Sequence, residues 1–504
     1  MSQANTLPWW RQSSVWIMLL LGFSAGIPIL LIFSSLSLWL REAGVSRSAV
    51  TFFSWAALGY SFKFVWAPLV DRLSIPLLTA WLGRRRAWLL LSQLAVIASI
   101  LLMATTDPQI SLTTMAVAAV LLGFSSATQD VVIDAFRIES ADVKLQALLS
   151  STYIAGYRLA MIAAGAGALY LAEYFGSSAE QYSFDAWSRS YMIMAGCMLI
   201  GIVTTLLVKE PAHQRSKAAE TVSQQVRFLL MFALSVTSFV AVLMVVPSLG
   251  DVVSPALKVV FDFGFAAIKL SAAIAAAILT AKACNGLGLV DRAMVRQAYI
   301  QPAMDFFERY GRLALMVLLL VGFYRVSDIV MGVITNVFYQ DLGYSKSDIA
   351  SVTKVFGVIM TITGSFLGGF LSLRIGVMRT LMLGAILVAV TNLAFVWLSY
   401  QSATIANLTA VIVVDNLSQG IAIAAFIGWL SGLTNVSFTA TQYALFSSLM
   451  TLFPKVIGGY SGSMVDAMGY PAFFTLASAL GIPVIVLIYY LKDRLQVERR
   501  ESEL

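Results

Sequence analysis

The feature that most constrains this chain is its succession of long apolar runs. A helix needs about 20 apolar residues to cross the roughly 30 Å hydrocarbon core of a bilayer. Runs of that length fall near 14-40, 48-70, 87-105, 111-134, 147-173, 189-208, 228-247, 257-283, 312-340, 348-373, 376-400, 404-432, 437-460 and 470-491, about fourteen in all. Lipid offers no partner to a backbone N–H or C=O, so such segments close their hydrogen bonds internally as helices. The predicted fold class is therefore an all-α polytopic membrane protein. Composition agrees: 59% of residues are hydrophobic and 12% charged, against about 25% charged in a soluble chain. The first run is too long for a signal-peptide core and lacks a small-residue cleavage site, so it is expected to be retained as a span.

Lys and Arg concentrate in loops on the cytoplasmic side of a membrane. With the N-terminus inside, inner loops and tails collect about 22 of the 33 basic residues, and outer loops about five. Both termini are expected to be cytoplasmic. The net charge of +7 is thereby explained as topology, and nucleic acid is not an expected partner. Cys197 and Cys284 form no ligand pattern and His213 stands alone, so no metal or cofactor is expected. No catalytic set or nucleotide loop is visible, which argues against an enzyme.

Phrases recur in order at an offset of about 290 to 302 residues, the mark of two parallel six-helix halves. Gln129 followed by Ala135-Phe136 matches Gln419 followed by Ala425-Phe426, and Ser150-Ser151 with Arg158 and Gly165 matches Ser447-Ser448 with Lys455 and Gly462. Six helices need only about 200 residues, so two extra helices lie between the halves. The expected domains are 1-211, the first half; 212-311, a loop, two extra helices and an amphipathic elbow; 312-491, the second half; and 492-504, a cytoplasmic tail.

Between the second and third segments the chain reads PLVDRLSIPLLTAWLGRRR. It resembles the major facilitator loop signature, with Asp71-Arg72 and Gly83-Arg84-Arg85 separated by an insertion. GFLSLRIGVMR repeats it in degenerate form around Arg374. An acid at a helix end facing basic residues makes a latch between halves, so Asp71, Arg72, Arg84, Arg85 and Arg374 are candidate cytoplasmic gate residues.

Ionisable residues inside a membrane cost about 2.5 to 3.5 kcal/mol on insertion scales, which makes each a functional candidate. In this fold type the first, fourth, seventh and tenth core helices line the cavity. The fourth carries Gln129, Asp130, Asp134 and Arg137, the seventh Arg325 and Asp328, and the tenth Asp415, Asn416 and Gln419. Asp130, Asp134, Asp328 and Asp415 are candidate proton-coupling groups, because a carboxyl that alternates between dry surroundings and a cation loads and releases a proton. Each could instead be locked in a structural pair. Gln129, Arg158, Arg325, Lys63, Asn416 and Gln419 are candidate substrate contacts, the cations suited to carboxylates. Gly22, Gly26 and Pro28 mark a hinge or a close packing point in the first helix. Trp9, Trp10 and Trp39 read as interfacial anchors.

SSATQDVVIDAFR at 125-137, FKFVWAPLVDR at 62-72 with GRRRAW at 83-88, YRVSD at 324-328 and SFTATQYALFSSL at 437-449 together resemble the AmpG-type muropeptide permeases. The resemblance runs over nearly the whole chain. It implies a Gram-negative inner-membrane importer, coupled to protons, for N-acetylglucosaminyl-1,6-anhydro-N-acetylmuramic acid and its peptide forms, serving cell-wall recycling and β-lactamase induction. Gly26, Ala127 and Gln129 occupy positions whose counterparts matter in such permeases. The outer loop at 174-190 is not accounted for by it. Competing expectations are a related transporter of another substrate, such as an acetyl-CoA, siderophore or drug carrier, and a channel or membrane sensor.

Overall fold

A computed structural model describes residues 12–32, 34–45, 60, 62–178, 181–211, 221–245, 255–344, 346–458 and 461–502. The predicted span at 48-70 falls largely outside these residues, as do Trp9, Trp10 and His213. The side chain of Lys455 also lies outside them. Among the described residues there is no strand, and eleven helices are long and apolar enough to cross a membrane. The fourteen-segment reading is thus right in kind and approximate in number.

The first compact unit comprises Met1–Asp71, Ile75–His213 and Phe307–Leu504, and the second Arg72–Ser74 and Gln214–Phe306. In the first unit the described helices include α1 (Ser13–Ile32), α2 (Ala67–Arg72), α3 (Arg84–Ala104), α4 (Leu112–Ser140), α5 (Gln146–Ile162) and α6 (Phe184–Cys197). The second unit holds α7 (Val222–Val245) and α8 (Pro255–Gly286), packed on each other. Returning to the first unit, α9 (Ala314–Phe323) and α10 (Val326–Asp341) form one span interrupted at Tyr324–Arg325, followed by α11 (Gly357–Ile375), α12 (Val377–Leu398), α13 (Ile405–Leu433) and α14 (Thr439–Gly458). Ser461–Ala479 and Gly481–Ser502 complete it.

The duplication is visible in the helices themselves. Both α4 and α13 are 29 residues long and start on a hydroxyl cap, Ser111 and Thr404. Such a side chain satisfies an N–H that the first turn leaves unpaired. Each is followed by a single 3-10 turn, Val143–Leu145 and Val436–Phe438, leading into α5 and α14.

Close backbone approach joins α1 to α5. A Cβ on Gly22 would stand 2.2 Å from the Tyr153 carbonyl oxygen, and one on Gly26 2.3 Å from that of Tyr157. The α-helix continues unbroken from Ser13 through Pro28 to Ile32. Gly22 and Gly26 therefore sit in a packed crossing, and Pro28 lies buried in the same continuous helix.

The halves meet through α5 with α11 and α13, and α4 with α14. At the end of the bundle bearing Asp71 and Arg85, here the charged end, this contact is tight. Ser151 donates to the Ser365 carbonyl at 2.6 Å, and a Cβ on Gly428 would come within 2.8 Å of that of Ala147. The charged end is closed.

At the opposite end Trp39 is fully buried and stacks on Trp187, with ring centroids 5.6 Å apart. Glu42 accepts from the Trp187 indole and the Ser177 hydroxyl, each at 2.7 Å. Tyr182 donates to Asp107 at 2.9 Å. Trp39 is thus a core residue rather than an interfacial anchor, because Trp187 and Tyr182 of the 174-190 segment cover it.

Candidate functional site

The interruption at Tyr324–Arg325 places two ionisable side chains beside the tenth core helix. Arg325 donates to Asp328 at 2.6 Å, one turn further along. Opposite them on α13, Gln419 donates to Asp415 Oδ2 at 2.9 Å, while Asp415 Oδ1 is buried with no hydrogen-bond partner. Asp415 and Asp328 interact electrostatically. A small cavity of about 20 Å³, lined by Tyr324, Arg325, Asp328 and Gln419 among others, has room for roughly one water.

From the first half, Arg158 on α5 reaches toward the same place and interacts electrostatically with Arg325 and Asp328. Its own hydrogen bond is a weak one to the Met161 sulfur at 3.7 Å, and among the described residues it has no ion pair. Two guanidiniums thus share one carboxylate, an arrangement with donor capacity left over for an anion.

A second charged group lies on α4. Asp134 Oδ1 accepts from Arg137 at 3.1 Å and Oδ2 stands 3.9 Å from Lys63 Nζ. Asp130, one turn away, interacts with Lys63 and Asp134 and lies 3.4 Å from the Tyr153 hydroxyl. Tyr60, which donates to Ser126 at 2.7 Å, and Tyr157 complete this wall. These tyrosines were not singled out from the sequence, where an aromatic on an apolar helix carries no distinguishing mark.

Two candidate contacts sit elsewhere. Gln129 is fully buried inside the first half, where it donates to Ser24 at 3.0 Å beside Gln93 and Thr205. It shares α4 with Asp130, but successive helical residues point about 100° apart. Asn416 accepts from Thr361 at 2.8 Å and donates to the Ile412 carbonyl, which ties α13 to α11.

At the charged end Asp71 is buried and paired with Arg85 at 2.8 Å. It also crosses to the second half, accepting from the backbone N–H groups of Ala440 at 3.2 Å and Thr441 at 2.8 Å and from the Thr441 hydroxyl at 2.7 Å. These groups open α14, whose N-terminus favours a negative charge. Burial alone would raise the Asp71 pKa, but the facing Arg85 and Arg84 outweigh it and hold the carboxyl below its ordinary value. Arg85 also grips Glu139 through two nitrogens, and Arg84 donates to the Asp71 carbonyl at 2.6 Å. Arg72 belongs to the second unit, where it donates to Gln297 at 3.1 Å. Arg374 is exposed and makes no hydrogen bond or ion pair among the described residues, because the acid that would hold it is Leu373.

The Major Facilitator Superfamily profile matches residues 18–324 and 314–503. The chain belongs to the major facilitator superfamily. Among curated members of the superfamily, a putative transporter AmpG 4 of Rickettsia conorii is 30% identical over 95% of this chain and 96% of its own length. The anhydromuropeptide permease of Escherichia coli K12 is 27% identical over 96% of this chain and 80% of its own. Two superfamily structures show the same fold: the proton:xylose symporter XylE, with a TM-score of 0.57 at 12% identity over 95% of this chain and 94% of that one, and FucP in its outward conformation, with a TM-score of 0.58 at 12% identity over 94% and 98%. This superfamily member is a multi-pass membrane transporter, and relatives named as putative AmpG transporters and as an anhydromuropeptide permease match it over nearly the whole chain.

Proposed function

We propose that the protein imports N-acetylglucosaminyl-1,6-anhydro-N-acetylmuramic acid and its peptide-bearing forms across a Gram-negative inner membrane, driven by protons, for peptidoglycan recycling and the induction of β-lactamase. The observation that carries this reading is the similarity to the Escherichia coli anhydromuropeptide permease over 96% of this chain and 80% of that protein. In this reading the charged end is cytoplasmic, with both termini, a placement that the distribution of Lys and Arg supports.

The geometry suits such a substrate. A muropeptide presents carboxylates, hydroxyls and sugar rings. Arg158, which has no carboxylate of its own, and Arg325 supply the cationic contact, while Gln419 and the wall of Tyr60, Tyr153 and Tyr157 offer polar and ring contacts. Asp328 and Asp415 are the groups proposed to carry the proton, since one has an exchangeable guanidinium partner and the other an oxygen with none. Asp134, held between Arg137 and Lys63, is better suited to a fixed structural charge.

Competition binding to purified protein in detergent tests the substrate. The disaccharide and its tripeptide form should displace a labelled anhydro-muropeptide, whereas xylose and acetyl-CoA should not. No saturable binding of the labelled muropeptide by folded protein, or its displacement by unrelated anions as readily as by the muropeptide, would assign the site to another substrate.

A further inference from the structure

Arg137 on α4 is fully buried. Its guanidinium donates from Nη2 to Asp134 at 3.1 Å and from Nη1 to Gln146 at 3.1 Å and Ser150 at 3.0 Å. All three partners belong to the first half. The same Nη1 donates to the Ser431 hydroxyl on α13 at 2.8 Å, and the guanidinium carbon lies 5.3 Å from the centre of the Tyr443 ring on α14. These two belong to the second half.

A buried guanidinium is costly unless charge and hydrogen bonds compensate it. Asp134, Gln146 and Ser150 provide that compensation without help from the other half. Ser431 keeps a bond of its own, donating to the Ile427 carbonyl at 2.7 Å. Separation of the halves at this point would therefore leave neither side stripped of partners, so the contact is one that can break and re-form repeatedly. The planar fork holds Asp134 through Nη2 while Nη1 faces Ser431, a division between two nitrogens that the single ammonium of a lysine does not have.

We propose that Arg137 is a second fastener between the halves, an arm held in the first half by Asp134 and released from Ser431 and Tyr443 whenever the charged end opens. Through Asp134 and Lys63 the arm links the charged wall of the cavity to the gate. The proposal rests on the alternation of two halves in this superfamily and not on the identity of the substrate.

The test reads opening directly and needs no substrate. In a Cys197→Ser, Cys284→Ser background, Ser151→Cys places a near-isosteric thiol in the closed contact between α5 and α11. Full-length protein in proteoliposomes is treated with a soluble maleimide and the labelling rate is measured. Ser431→Ala should raise the rate about tenfold, the lower end for a bond to a charged group, and Ser431→Thr, which keeps the hydroxyl, should restore it. Arg137→Gln, which also removes the Tyr443 contact, should raise the rate at least as much as Ser431→Ala, and the double variant should label no faster than Arg137→Gln, since the Ser431 contact is already gone in it. An unchanged rate in Ser431→Ala, or full additivity in the double variant, overturns the proposal. If Arg137→Gln fails to fold, the Ser431 pair decides alone. A brace confined to the first half would lower the melting temperature in Arg137→Gln while leaving Ser431→Ala labelling unchanged, and that pattern also overturns it.

Discussion

Replacement of Asp71 by Asn should unlatch the charged end. The carboxylate gathers two backbone N–H groups and a hydroxyl from the start of α14 and pairs with Arg85 at 2.8 Å. Each bond to an ionised group is worth about 1.5 to 3 kcal/mol. Asn keeps one accepting oxygen, loses the charge that complements the α14 N-terminus, and turns an amide N–H toward other donors. About 3 kcal/mol of closure is lost, a shift on the order of 100-fold in the closed-to-open ratio. Spin labels at Val143 and Val436, both exposed and on opposite halves of the charged end, report it by electron paramagnetic resonance. The parent should show one short distance, and Asp71→Asn a second, longer population. Identical distance distributions would refute the latch, since the geometry gives Asn no means of holding all four contacts.

The same labels test pH. A carboxyl whose folded pKa is depressed contributes its stabilisation fully above the unfolded value of about 3.9 and loses it only as pH falls through the lower folded value. Asp71 is such a group, so the parent's distances should not change between about pH 8 and 5 without substrate. Gly22→Ala should lower the melting temperature by overpacking worth about 1 to 3 kcal/mol, because its Cβ meets the Tyr153 carbonyl at 2.2 Å. Glu42→Leu should destabilise the opposite end by about 1 to 3 kcal/mol or more, read by thermal unfolding, as the buried Trp187 and Ser177 donors both lose the Oε2 that accepts from them. Arg158→Gln should weaken anhydro-muropeptide binding about tenfold or more while leaving the melting temperature unchanged, because its loss strands no carboxylate.

Helical spans, duplication and the Asp71–Arg85 region were legible because they depend on residue type and spacing. Twenty apolar residues have one fate in lipid, and an acid beside clustered arginines is unusual there. Which face a residue presents was less legible. Gln129 and Asp130 are neighbours in sequence, yet one bonds Ser24 inside the first half and the other faces Lys63. Trp39 reads as an anchor until the 174-190 segment covers it. Arg137 was visible as a charge on the fourth helix, but its partner Ser431 stands 294 positions away, and no local pattern announces a hydroxyl on another helix. Arg374 shows the reverse: the motif around it was legible and its partner acid is absent from the sequence.

The central claim, proton-driven import through the Asp328 and Asp415 site, is tested most directly by uptake of labelled anhydro-muropeptide into proteoliposomes under an imposed pH gradient. The account predicts accumulation that follows the gradient and collapses with it. In Asp328→Asn or Asp415→Asn, gradient-driven accumulation should be lost while substrate binding persists. Gradient-driven accumulation at the parent level in both variants, or none at all by folded parent protein, would contradict it.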